Sequence, residues 1–321
     1  MPCRDARLRC ALMKLGYPLL CWFSSICLVA VSTAAAADTT TKKILFFTKS
    51  SGFEHSVIKQ ENGQPSFAQK MLEQLGSQHG LEFTHSKDGS LFTKEYLAGF
   101  DAFVFYTSGD LLSVGTDGHP AMTQRGQQDL FDAIWNGKGF VGIHSCSDTF
   151  HTGETGGGNP QRRLQRYRTY GPAAHPFVKM LGGEFIRHGP QQVARARVVA
   201  PSFPGFNRIG QELNVMEEWY SLKEFAPDLQ VHLVLETEGM KGTDYERPPF
   251  PIAWARRHGQ GRVAYNAMGH REDVWESEAF QSMLIGAIRW AAGLEQAEIQ
   301  PNLQDVVPQA GVLPKPPPDM K

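Results

Sequence analysis

Apolar positions along the chain fall into two alternating patterns. Short continuous apolar runs occur at Lys43–Thr48 (KILFFT), Phe100–Thr107 (FDAFVFYT) and Gly139–His144 (GFVGIH), with a weaker run at Leu81–Thr84. Between them lie stretches of helical spacing. Ser66–His79 puts Phe67, Met71, Leu72 and Leu75 on one face, and Thr123–Asn136 puts Leu130, Phe131 and Ile134 inward before Gly137 stops it. Continuous apolar strands alternating with amphipathic helices predict an α/β fold with a mainly parallel sheet covered on both faces. Further on, Val193–Val199 and His232–Glu236 read as strands. Ile252–His258 and Arg262–Ala267 read as a hairpin around Gly259-Gln260-Gly261, and Trp275–Ala292 as a terminal helix. Thr152–Pro172, rich in Gly and Arg, reads as a long loop of the kind that carries function. From residue 296 to 321 the chain is Pro-rich and reads as a flexible tail. No internal repeat or domain-sized linker interrupts residues 38–295, so one domain is expected there.

The first 37 residues follow another logic. Arg4, Arg7, Arg9 and Lys14 precede an apolar run from Leu15 to Val31, and Ala34–Ala37 offers a small-residue cleavage site before Asp38. This is the pattern of a secretory signal peptide; an uncleaved membrane anchor is the alternative. Cleavage implies a periplasmic or extracellular protein with no remaining membrane attachment. Cys3, Cys10, Cys21 and Cys27 all lie in this leader, so the mature chain keeps Cys146 alone and forms no internal disulfide. Losing the leader moves the formal charge from −1 to −4. That balance lacks the basic face a nucleic-acid binder needs and suits a small neutral ligand.

In parallel sheets, ligands bind beyond the carboxyl ends of the strands. The first strand is followed by Gly52-Phe53-Glu54-His55, the third by Ser108-Gly109-Asp110, the fourth by His144 and then Asp148, and the final hairpin by Gly269-His270. Three strand ends thus deliver a histidine to one face, although each taken alone is equally a core or capping residue. His188 follows a further strand-like segment. Glu217-Glu218-Trp219-Tyr220 sets carboxylates beside aromatics, as sugar recognition requires, or else forms a surface turn with one buried ring. Trp254 lies on a hairpin strand, where core packing explains it as well as ligand contact. The glycines match neither phosphate-loop nor dinucleotide spacing, so no nucleotide cofactor is expected.

Together, Thr48-Lys49 through His55, Val141-Gly142-Ile143-His144 with Asp148-Thr149, Glu218-Trp219-Tyr220, Pro251-Ile252-Ala253-Trp254 and Gly269-His270 resemble the ThuA-like (trehalose-utilisation) family over nearly all of Lys43–Gly293. The resemblance implies a flavodoxin-like, class I glutamine amidotransferase-like three-layer sandwich. It also implies a role with trehalose and related disaccharides, including 3-keto forms. Where related amidotransferases carry a nucleophilic cysteine, this chain has His144, so glutaminase chemistry is not expected. Two departures stand out: Phe250 replaces a histidine common before Pro-Ile-Ala-Trp, and the segment from Phe150 to Pro176 is long.

Three readings compete. In the first, a sugar-active hydrolase, lyase or isomerase uses His144 and His55 as acid and base, Glu218 as carboxylate partner and Asp148 to orient a histidine. Trp219, Tyr220, Ser108, Asp110, Trp254 and His270 then contact substrate. In the second, His55, His144, His188 and His270 hold a divalent metal such as zinc. In the third, the domain is a non-catalytic carbohydrate-binding module. The expected partner is a small sugar; self-association into a homo-oligomer is left open.

Overall fold

The apolar runs become the centre of a twisted sheet. In the computed structural model, which describes residues 41–153 and 163–318, Lys42–Phe47 forms β1, Leu81–Ser86 β2, Ala102–Phe105 β3 and Gly139–Ile143 β4. The leader, and residues 154–162 of the Gly/Arg-rich loop, lie outside the described residues. Among the described residues no helix is long and apolar enough to cross a membrane. The later strands are β5 (Glu184–His188), β6 (Gln192–Val198), β7 (Glu212–Glu217), β8 (Tyr220–Lys223), β9 (Gln230–Leu235), β10 (Phe250–His258) and β11 (Gly261–Asn266). Nine of them make one sheet in the order β2-β1-β3-β4-β11-β10-β9-β6-β7. The β2 to β11 half is parallel, and from β11 to β7 every pairing is antiparallel. This is the α/β architecture that the apolar pattern predicts, with an antiparallel wing added.

Helices cover both faces. They are α1 (Phe67–His79), α2 (Lys94–Ala98), α3 (Gln124–Trp135), α4 (Pro176–Leu181), α5 (Glu272–Glu276), α6 (Glu278–Ala291) and α7 (Leu303–Val306). Successive residues of a strand face opposite sides, and β4 shows it. Phe140 packs its ring on Phe177 of α4, while the neighbouring Gly139 lies so close to α6 that a Cβ would stand 2.4 Å from the Ala291 carbonyl oxygen. Ser66 and Thr123 start α1 and α3 by accepting the Gln69 and Gly126 N–H groups.

Three elements depart from expectation. The terminal helix breaks at Ser277, whose backbone is extended and whose side chain accepts the Phe280 N–H. A serine placed to cap a helix start ends one helix and opens the next. Strands β7 and β8 were not visible in the apolar pattern, since β7 alternates exposed and half-buried positions up to the buried Glu217, whereas β5, the strand-like segment ending at His188, begins with a buried Glu184. β5 and β8 pair as a separate two-stranded antiparallel sheet. The third departure is the tail. Leu303, Val307 and Ala310 are buried at helical spacing. The Asn302 side chain accepts the Val231 N–H and donates to the Val231 carbonyl, so this segment is docked where the prolines suggested flexibility.

Candidate active site: histidines around Glu218

The site is built where β1, β3, β4 and β11 end. The loops after β1 and β3 are laced together: Ser51 N–H donates to the Ser108 carbonyl at 2.7 Å and Ser108 Oγ donates to the Phe53 carbonyl at 2.7 Å. Gly109 has φ +76°, and a Cβ there would lie 2.6 Å from the Gly52 nitrogen, so these two loops meet backbone to backbone. Buried Lys87 donates to the Thr48 carbonyl and to Glu54 Oε1, both at 2.9 Å. This fixes the residue that precedes His55. His55 is itself buried, with its ring 5.4 Å from that of Tyr106.

His144 follows β4 directly and adopts φ +44°, a conformation L-residues seldom hold without support. The support is visible. Its carbonyl accepts Tyr265 Oη at 2.7 Å and Ser147 Oγ at 3.3 Å. Its Nδ1 lies 2.7 Å from the Ala267 carbonyl oxygen. A carbonyl only accepts, so Nδ1 carries a proton. Nε2 is then turned toward Glu218, buried and without a hydrogen-bond partner.

The β7–β8 corner supplies the carboxylates. Glu217 is fully buried and accepts the N–H groups of Glu218 (2.7 Å), Gly269 (2.8 Å) and His270 (3.2 Å). It therefore ties the corner to the loop after β11. Glu218 extends into the cluster, with Oε2 3.5 Å from His144 Nε2 and Oε1 3.4 Å from His188 Nδ1 and 3.6 Å from His270 Nε2. Ring centroids of His55, His144 and His270 lie 4.9–5.4 Å apart. Tyr220 packs on His144 at 4.2 Å, with its Oη 3.4 Å from His55 Nε2.

Burial dominates the electrostatics. It takes His55 down to about 2, helped by His144 and His270. It takes His270 down to about 4, against the pull of Glu218. Both rings are therefore neutral at ordinary pH. For Glu218, burial opposes ionisation, but His144, His188 and His270 outweigh it and hold the carboxyl below its usual value. The result is one carboxylate among imidazoles, of which His55 and His270 keep lone pairs available. Such a set can accept a proton, relay one, or ligate a metal.

The ThuA family model, described as trehalose utilisation, matches residues 43–291. The chain belongs to the ThuA family. That carries a carbohydrate-related role at the level of the family. A Bacteroides uniformis protein described as ThuA-like is similar across 81% of this chain and 94% of its own, with 20% identity and a TM-score of 0.56. One from Parabacteroides merdae, also described as ThuA-like, is similar across 88% and 99%, with 15% identity and a TM-score of 0.52. Both likenesses show a shared fold. No curated protein matches the sequence.

Of the residues expected in the site of this ThuA-family protein, the fold brings together His55, His144, His270, Glu218 and Tyr220. His188 stands at the margin, with a side chain 40% exposed. Others serve elsewhere. Trp219 and Trp254 are fully buried and donate to the Gln192 and Leu181 carbonyls. They are core residues and present no face to a ligand. Ser108 is occupied by the Phe53 carbonyl, and exposed Asp110 accepts from Leu112 N–H and Ser113 Oγ in its own turn. Phe250 is core, beneath the Arg247 guanidinium. Cys146 is fully buried, and burial pushes its thiol well above the ordinary value.

Asp148 does orient a histidine, but not one of these four. It pairs with His151 and with Arg166, the latter at 2.8 Å. The other nitrogen of His151 lies 3.0 Å from Glu184 Oε1, which also accepts the Thr152 N–H at 2.8 Å, while Glu184 Oε2 faces Lys223 Nζ at 3.3 Å. Burial opposes the ionisation of Asp148, yet Arg166 and His151 bring its carboxyl down to about 2. Two residues quoted in the sequence motifs were given no place in the site. Glu217 gave no signal beyond its neighbour. Phe53 is 69% exposed with its ring 5.0 Å from that of His55, and its place directly before Glu54-His55 was the available clue.

Proposed function

We propose that this protein is an exported enzyme, periplasmic or extracellular, that performs acid–base chemistry on trehalose or a related disaccharide in native or 3-keto form. The observation that carries the reading is His144. Its strained backbone and its Nδ1 bond to the Ala267 carbonyl leave a buried, unpartnered Nε2 3.5 Å from the Glu218 carboxylate. A protein seldom retains an unpaired buried nitrogen and an unfavourable φ at one residue without use for them. In this reading His144 Nε2 accepts the substrate proton, Glu218 stabilises the imidazolium that results, and exposed Phe53 covers an apolar sugar face. A pure binding module depends on ligand-facing aromatics, and Trp219, one of the pair it was expected to use, is buried in the core.

The test is a turnover screen of the chain without its leader against trehalose, sucrose and their 3-keto derivatives. Product formation that is lost in His144→Ala is the expected result. Saturable sugar binding with no product from any of them would replace this reading with the binding-module one.

A further inference from the structure

We propose that His55, Glu218 and His270 bind one divalent first-row transition-metal ion, with His144 beside them left free as the base. The first argument is convergence. One donor atom from each of His55, Glu218 and His270 lies within 4.8 Å of the other two. Ligands about 2.1 Å from a common ion stand at most roughly 4.2 Å apart, so shifts below an ångström close this set onto a metal. The three come from different segments, and Glu217 ties two of those segments together through the Gly269 and His270 N–H groups.

The second argument concerns an unpaired atom. His55 Nδ1 is buried with no hydrogen-bond partner. Leaving such a nitrogen bare costs free energy that a bound cation would recover.

The same logic corrects the set expected from sequence. His188 directs its Nδ1 to the Gly189 carbonyl at 2.9 Å and lies beside Glu218 Oε1. It orients the carboxylate from outside, and Glu218 takes its place among the ligands. Imidazoles with a single carboxylate favour zinc, manganese, iron(II) or cobalt over calcium and magnesium, which take oxygen ligands. The site stands on its own donors, whichever sugar the enzyme takes. If a sugar hydroxyl or carbonyl reaches it, the ion would serve as a Lewis acid there.

Metal binding is measured on the leaderless chain, stripped with chelator, by calorimetric titration with zinc and with manganese and by elemental analysis after dialysis. One ion per chain is expected. Affinity should fall at least tenfold in Glu218→Gln and in His55→Ala, and less in His188→Ala. Cobalt(II) added to the stripped wild-type chain gives a readout that does not depend on any variant folding. A visible absorption band of an imidazole-ligated ion is expected. No saturable binding to the folded wild-type chain, a cobalt spectrum identical to that of the aqueous ion, or binding undiminished in both ligand variants would each overturn the proposal. Metal binding without sugar turnover would leave this site standing and remove the reading of the preceding section.

Discussion

The cluster around Glu218 and the cluster around Glu184 use the same residue types and differ in how tightly their charges are paired, although Glu184 Oε2 meets Lys223 without a hydrogen bond. Around Glu184, both nitrogens of His151 meet carboxylates, and Arg166 and Lys223 meet carboxylates in turn, at 2.8 and 3.3 Å. Around Glu218 the histidine contacts are 3.4–3.6 Å, and His144 Nε2 lacks a hydrogen-bond partner. A closed network of buried charges holds elements in register, here β5 to β8 through Glu184 and Lys223. An open one keeps atoms in reserve for something the protein does not itself supply. The comparison teaches that burial and charge alone do not mark a site; several loosely held imidazoles converging on one carboxylate do.

The comparison can be broken from either side. The largest effect is expected in the closed network. Glu184→Ala leaves Lys223 buried without its carboxylate and should cost about 3–5 kcal/mol in denaturant unfolding. In the open cluster, His144→Ala should lower kcat/KM at least about 100-fold, roughly 2.7 kcal/mol of transition-state stabilisation, with a smaller shift in unfolding midpoint than Glu184→Ala. If the two variants exchange these effects, the assignment of roles is wrong.

Acid supplies a subtler probe. Asp148 is held down to about 2 when folded, against 3.8 as a free carboxyl. Its contribution is therefore present in full above pH 3.8 and is lost as pH falls through about 2, on the order of 2 kcal/mol. Unfolding curves between pH 4 and 2 should flatten in Asp148→Asn. Equal slopes in both proteins would show that the pairing does not stabilise the fold. The smallest effect belongs to Phe53→Ala, which should raise KM a few-fold with kcat little changed and stability within about 0.5 kcal/mol.

Much of the parallel half was legible because its strands are buried on both sides and so are apolar without interruption, as in Ile44–Phe47 and Ala102–Phe105. The strand-end rule then carried His55, His144 and His270 to one place. The edge of the antiparallel wing was harder to read. Its last strand, β7, alternates exposed and half-buried positions, and in the separate β5–β8 pair Glu184 gives no apolar signal, its partner Lys223 being visible only in the fold. Trp219 and Tyr220 are adjacent, yet one ring packs wholly in the core while the other lines the histidines. Trp219 lies in the β7–β8 corner and Tyr220 opens β8, so only the course of that corner decides which ring goes where.

The docked tail bears on where this protein may be cut. The family match ends at residue 291, yet the Arg247 guanidinium, itself buried, spends one of its donors on the Ala310 carbonyl at 2.7 Å. Asn302 meanwhile pairs both polar groups of Val231, acting as a one-residue substitute for a neighbouring strand. A recombinant version trimmed to the homologous region would thus uncover the face beneath Leu303 and Val307 and strand a charged side chain. The boundary of ancestry and the boundary of folding lie in different places, and production of the protein should follow the second.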